Sequence, residues 1–103
     1  MVKKISENEF DQVTGSNVAV IDFSATWCGP CRMLAPVMDT VSEELAGKVN
    51  FFNIDVDENP DLAQQFGISN IPAVVLLKNG KAVDMTVGFQ PKENITRFIS
   101  AQL

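Results

Sequence analysis

The apolar run Val18-Ala19-Val20-Ile21-Asp22-Phe23 is followed almost at once by Trp27-Cys28-Gly29-Pro30-Cys31, and no other feature constrains the fold as strongly. A short run of mostly β-branched and apolar residues reads as a buried strand, while Pro30 suits the first turn of a helix, where its missing N–H is no loss. A buried strand must therefore hand over to a helix within a few residues, the step from which α/β layers are built.

The only two cysteines of the chain stand at that junction, three positions apart. On a helix this spacing places Cys31 on the same face as Cys28, one turn further on. Unpaired N–H groups and the positive end of the helix dipole stabilise a thiolate at Cys28. The plainer reading is a structural disulfide. Closing so short a loop yields only about 2 kcal/mol of chain entropy, and it ties residues that the helix already holds close. The pair is therefore expected to be a dithiol that opens and closes.

The rest of the composition removes competing chemistries. Histidine is absent, so Cys–His and Ser–His catalysis, histidine metal sites and c-type haem attachment fall away, the last because Arg32 follows the second cysteine. Two cysteines cannot build a four-cysteine zinc or iron–sulfur site within one chain. A net charge of −5, from 8 Lys+Arg against 13 Asp+Glu, argues against a nucleic-acid or anionic membrane surface. The start of the chain turns polar and acidic where a signal peptide would need its apolar core, so a cytoplasmic location is expected. With 103 residues, one domain spanning 1–103 is expected.

Ser6 and Glu9 have capping-box spacing before a short helix that Gly15 can end, and the strand at 17–23 follows. A helix of about 16 residues starts near Pro30, presents Leu34, Val37, Met38, Val41 and Leu45 as its apolar stripe, and stops at Gly47. Pro36 lies inside it and is expected to kink it. A strand near 49–56 and a helix from Asn59-Pro60 to Gly67 come next. Asn79-Gly80 then joins the strands 73–78 and 81–87 in an antiparallel hairpin. Pro91 opens a terminal helix whose apolar positions are Ile95, Phe98, Ile99 and Leu103. The pattern describes a mixed sheet with helices on both faces.

Asp-Phe before Trp-Cys-Gly-Pro-Cys, an isolated Ile71-Pro72 some forty residues on, a Lys-Asn-Gly hairpin and Val87-Gly88 before the last helix together closely resemble the thioredoxin family. The likeness runs along nearly the whole chain. It implies an α/β thioredoxin fold: a five-stranded mixed sheet whose strands, numbered along the chain, lie in the order β1-β3-β2-β4-β5, flanked by four helices. It also implies a general protein-disulfide reductase and electron carrier. In that resemblance Cys28 is the attacking cysteine, Cys31 the resolving one and Asp22 a buried carboxylate. Gly29 and Pro30 shape the helix N-terminus, Pro72 is a cis-proline beside the disulfide, and Trp27, Ile71, Pro72, Val87 and Gly88 contact substrate. The implied partners are a flavin-containing thioredoxin reductase as electron donor and target proteins with exposed disulfides, met by a monomer that needs no bound cofactor or metal. Two positions depart from the pattern: Ser24 stands where many members carry a second Trp, and Asn53 where many carry a Lys facing the buried acid.

Each of these residues has a blander role. Asp22 is either a carboxylate that accepts backbone hydrogen bonds or, buried and unpaired, an acid of raised pKa suited to proton transfer. Pro72 also fits a trans proline starting a strand, since cis forms only about 5–6% of X-Pro bonds in folded proteins. Trp27 is expected to form a contact surface beside an exposed nucleophile. Asp55, Asp57 and Asn59 mimic the start of a calcium loop, but Pro60 replaces the required glycine and Phe66 the bidentate glutamate. Met33 and Met38 are expected to fill the core. Alternative functions are a disulfide oxidase or isomerase of the same fold, or a partner-binding module independent of redox chemistry.

Overall fold

The run at 18–23 becomes the central strand of the sheet, and its period-two alternation sorts the whole core. A computed structural model describes residues 1–103 as β1 (Val2–Lys4), a 3-10 turn (Glu7–Glu9), α1 (Asp11–Thr14), β2 (Val18–Ser24), α2 (Gly29–Glu44), β3 (Asn50–Asp55), α3 (Pro60–Gln65), β4 (Ala73–Lys78), β5 (Lys81–Val87) and α4 (Lys92–Ser100). The strands lie in the order β1-β3-β2-β4-β5. β1, β3 and β2 run parallel, and β4 and β5 are antiparallel additions. Helices cover both faces, which is why Ala19 through Phe23 are all buried.

Ala19, Ile21 and Phe23 point to one face, where Ile54, Val75 and Leu77 join them under Val13 of α1 and Leu62 of α3. Val20 points to the other, with Phe51, Val74 and Leu76 under Leu34, Met38 and Val41 of α2 and Ile95 and Ile99 of α4. Asp22 is the next residue on that second face. A carboxylate thus occupies a place where the alternation calls for another apolar side chain.

Local signals account for most element ends. The Glu9 carboxylate accepts from the Ser6 N–H at 3.2 Å, but the segment it opens is a 3-10 turn followed by the short α1, not one helix. Asn79 and Gly80 take φ of 52° and 81°, the left-handed pair that a two-residue hairpin requires. α2 remains helical past Pro36 as far as Glu44, although Pro36 itself donates no hydrogen bond. Two residues expected to pack are exposed instead. Met33 is exposed because it lies outside the Leu34–Met38–Val41 stripe, and Leu103 is exposed because α4 ends at Ser100. The turn-by-turn pattern also gave no sign of β1, whose three residues include two lysines. No helix is long and apolar enough to cross a membrane.

The sheet edges are blunt. β1 is only three residues long, and β5 is interrupted by a bulge opposite Leu76 and Leu77.

Candidate active site

The turn after β2 delivers Cys28 to the N-cap of α2 and Cys31 to its first turn, and the two are joined as a disulfide with Cα atoms 5.2 Å apart. Pro30 follows the cap at the start of the helix, where no N–H is needed. The Cys31 N–H donates to Cys28 Sγ at 3.2 Å. One of the free donors at the helix start is thereby aimed at the sulfur that would carry negative charge after reduction.

Neither sulfur is openly presented. Cys28 is 5% and Cys31 4% exposed, packed with Ala25 in a small apolar cluster against Val56 and Ile71. The expectation of an exposed nucleophile is corrected accordingly: in the oxidised form the disulfide is capped by neighbours, and its approach runs past Ile71. The Ile71 carbonyl oxygen lies 3.9 Å from Cys28 Sγ. The Ile71–Pro72 peptide is cis. The Gly88 N–H donates to the Pro72 carbonyl at 2.7 Å, and Val87 pairs with Ala73, so Ile71, Pro72, Val87 and Gly88 gather beside the cysteines. Gly88 has φ of 92°, a conformation that a side chain resists.

Trp27 is 67% exposed, and its indole N–H donates to Asp57 Oδ2 at 2.7 Å. Asp57 is a site residue that the sequence reading missed. Its segment mimics the start of a calcium loop in sequence, whereas its hydrogen bonds build a turn. Asp55 Oδ1 accepts from the N–H groups of Asp57 and Glu58, Asn59 Nδ2 donates to the Asp55 carbonyl, and the turn so formed presents Asp57 to the indole.

The other side of the disulfide is open. An open cavity of about 210 Å³ has both Cys31 and Asp22 in its wall, together with Ser24, Arg32 and Asn53. Asp22 is only 3% exposed, and its Oδ1 has no hydrogen-bond partner. Burial pushes its carboxyl from 3.8 up to about 7, and the Asn53 amide opposes that rise only in part. Asn53 sits opposite Asp22 in the β2–β3 register, and its Nδ2 donates to the Asp22 carbonyl at 3.0 Å and to Ser24 Oγ at 2.8 Å. The two departures from the family pattern are thus bonded to each other. The largest cavity, about 380 Å³, is elsewhere, at Met1, Lys3 and the end of α2; it has no cysteine in its wall, and its one hydroxyl, Ser42, is bonded to the Asp39 carbonyl.

A sequence model of the thioredoxin family matches residues 1–101. The chain is 44% identical to the thioredoxin of Staphylococcus saprophyticus over 102 residues, covering 99% of this chain and 98% of that one. It is 42% identical to the thioredoxin of Staphylococcus haemolyticus over the same shares. Among solved structures, the thioredoxin of Malassezia sympodialis superposes with a TM-score of 0.87 at 45% identity, over 97% of this chain and 91% of that one. Chloroplastic thioredoxin z does so with a TM-score of 0.86 at 37% identity, over 97% and 92%.

Proposed function

The chain belongs to the thioredoxin family, and on that premise we propose how its residues divide the work of a protein-disulfide reductase. The protein is a protein-disulfide oxidoreductase and electron carrier, with Cys28 and Cys31 as its dithiol/disulfide couple. Cys28 is the attacker. As thiolate it displaces one sulfur of a target disulfide, forming a mixed disulfide and releasing the other target sulfur as thiolate. Cys31, once deprotonated, attacks Cys28 Sγ, frees the second target sulfur and closes the Cys28–Cys31 disulfide. The target has then gained two electrons and the chain has lost two.

The observation that carries this order is the donation of the Cys31 N–H to Cys28 Sγ at the start of α2, which favours charge on Cys28 over Cys31. Asp22 takes the Cys31 proton, through water in the cavity that both residues line. A carboxyl that titrates near 7 is matched to that task at neutral pH. Targets lie along Trp27, Ile71, Pro72, Val87 and Gly88. The family implies a thioredoxin reductase as electron donor and disulfide-bearing proteins as targets. We further read residues 1–103 as one domain acting as a cytoplasmic monomer, in keeping with its acidic charge.

Trapping tests the assignment. Cys31→Ser is expected to accumulate a covalent mixed disulfide with a target protein, visible on a non-reducing gel, and Cys28→Ser to trap nothing. The opposite pattern reverses the two roles.

A further inference from the structure

Two registers share a residue. Lys4 of β1 pairs with Asn53 of β3, and Asn53 pairs with Asp22 of β2. Partners aligned across parallel strands point to the same face, so Lys4, Asn53 and Asp22 form one row from the open edge of the sheet to its centre. Two strand spacings, roughly 10 Å, separate the end backbones. A four-carbon lysine stem and a carboxylate arm reach into that span from opposite ends. Lys4 and Asp22 also share the walls of two cavities, one reaching Cys31 and the other Met38 and Asp39.

The charged groups around Asp22 are few. From α2, Arg32 is turned to the Thr26 carbonyl at 2.9 Å, and Asp39 is exposed. From β3, Asp55 is occupied in its own turn, and Asn53 is neutral. That leaves Lys4, whose ammonium rests 3.3 Å from Glu58 Oε1 in a pair open to solvent. Such exposed pairs are held only weakly, so leaving one costs little. Asp22 Oδ1, in contrast, is buried without any partner. An ionised carboxylate there would draw a cation strongly.

We propose that Lys4 is a positioning residue with two stations: it rests on Glu58 while Asp22 is protonated and swings along the row to Asp22 when that carboxyl ionises, holding it ready for the Cys31 proton. Glu58 competes for the ammonium and so sets how readily it leaves. This deepens the reading of Asp22 as proton acceptor and rests on it.

The test is a double-mutant cycle read at Asp22 itself, by carboxyl ¹³C NMR titration of the full chain. Lys4→Met is expected to tighten proton binding by Asp22, and Glu58→Gln to weaken it, each by roughly three- to tenfold, as an opposite charge nearby favours ionisation. Two fixed charges acting at a distance would shift the midpoint in the same directions and add. A swinging lysine does not: in the Lys4→Met background, Glu58→Gln is expected to have no further effect. Additive shifts, or unmoved midpoints, overturn the proposal. Release of target from the mixed disulfide, followed at pH 6.5, supplies the second readout, slowed by Lys4→Met and sped by Glu58→Gln. Asp22→Asn separates the premise from the proposal. If that variant releases target as fast as the parent chain, the proton-acceptor reading fails, whatever the lysine does to the midpoint.

Discussion

The two sides of the disulfide are built differently. Cys28 meets a backbone: its sulfur accepts an N–H from Cys31 and lies against Ile71, with Trp27, Pro72 and Gly88 nearby. Cys31 meets a cavity in which a carboxylate displaces what would be an apolar core residue. One side is apolar and lined by backbone. The other is polar, and it stores an unfavourable burial. The contrast teaches that attack and proton removal make opposite demands on their surroundings, since a nucleophile needs fixed donors whereas an acceptor of protons needs an environment that makes its charge costly.

The largest expected effect comes from removing the stored cost. Moving a carboxyl from 3.8 to about 7 makes it bind its proton roughly a thousandfold more tightly in the folded chain than in the unfolded one. The folded state therefore holds more protons between those values. Stability falls as pH rises from about 3.8 to about 7, and the penalty is complete above that range. Asp22→Asn is expected to stabilise the fold by on the order of 4 kcal/mol at pH 8 and by little below pH 4, measured by urea unfolding. It is also expected to slow target reduction by roughly a hundredfold near pH 7, the weight of a lost general base. Destabilisation at pH 8 with activity intact would make Asp22 an ordinary satisfied carboxylate and erase the contrast.

A smaller change sharpens the same side. Asn53→Lys puts a cation directly beside Asp22 in the register, and the carboxyl is expected to titrate lower by about one unit or more. NMR titration of Asp22 checks it. A midpoint that stays near 7 would mean that the new ammonium escapes to solvent. The smallest effect belongs to the side of Cys28. Asp57→Ala removes the acceptor of the Trp27 indole, and target KM is expected to rise roughly two- to fivefold with kcat nearly constant, the weight of one exposed hydrogen bond. A fall in kcat instead would place Asp57 in the chemistry.

Much of this was legible in the residues. The apolar run Val18 to Phe23, Pro30 after Cys28 and the Asn79-Gly80 pair are local signals, and the strand, the helix start and the hairpin follow where they stand. What escaped depends on pairing across the chain. Lys4 reads as a charged residue near a terminus until the register sets it in line with Asn53 and Asp22. Asp57 becomes a partner of Trp27 only when α2 and the turn after β3 meet. Cys28 at an N-cap suggests exposure, and it took the packing of Ile71 and Val56 to cover it. The full strand order came from the family likeness, because three residues with two lysines carry too little alternation to announce a strand.

The blunt edges of the sheet have a consequence for how the molecule travels. A long, flat, unpaired strand recruits a second copy, and here one edge offers three residues with two lysines while the other is broken by a bulge and carries Lys81 and Asp84 among its side chains. With a net charge of −5 over 103 residues, neighbouring copies also repel one another. A carrier has to shuttle between donor and acceptor, and its throughput falls if it sticks to itself. A short, lysine-bearing rim and a bulged one are poor templates for edge-to-edge pairing, which suits a carrier that must part from each partner before meeting the next.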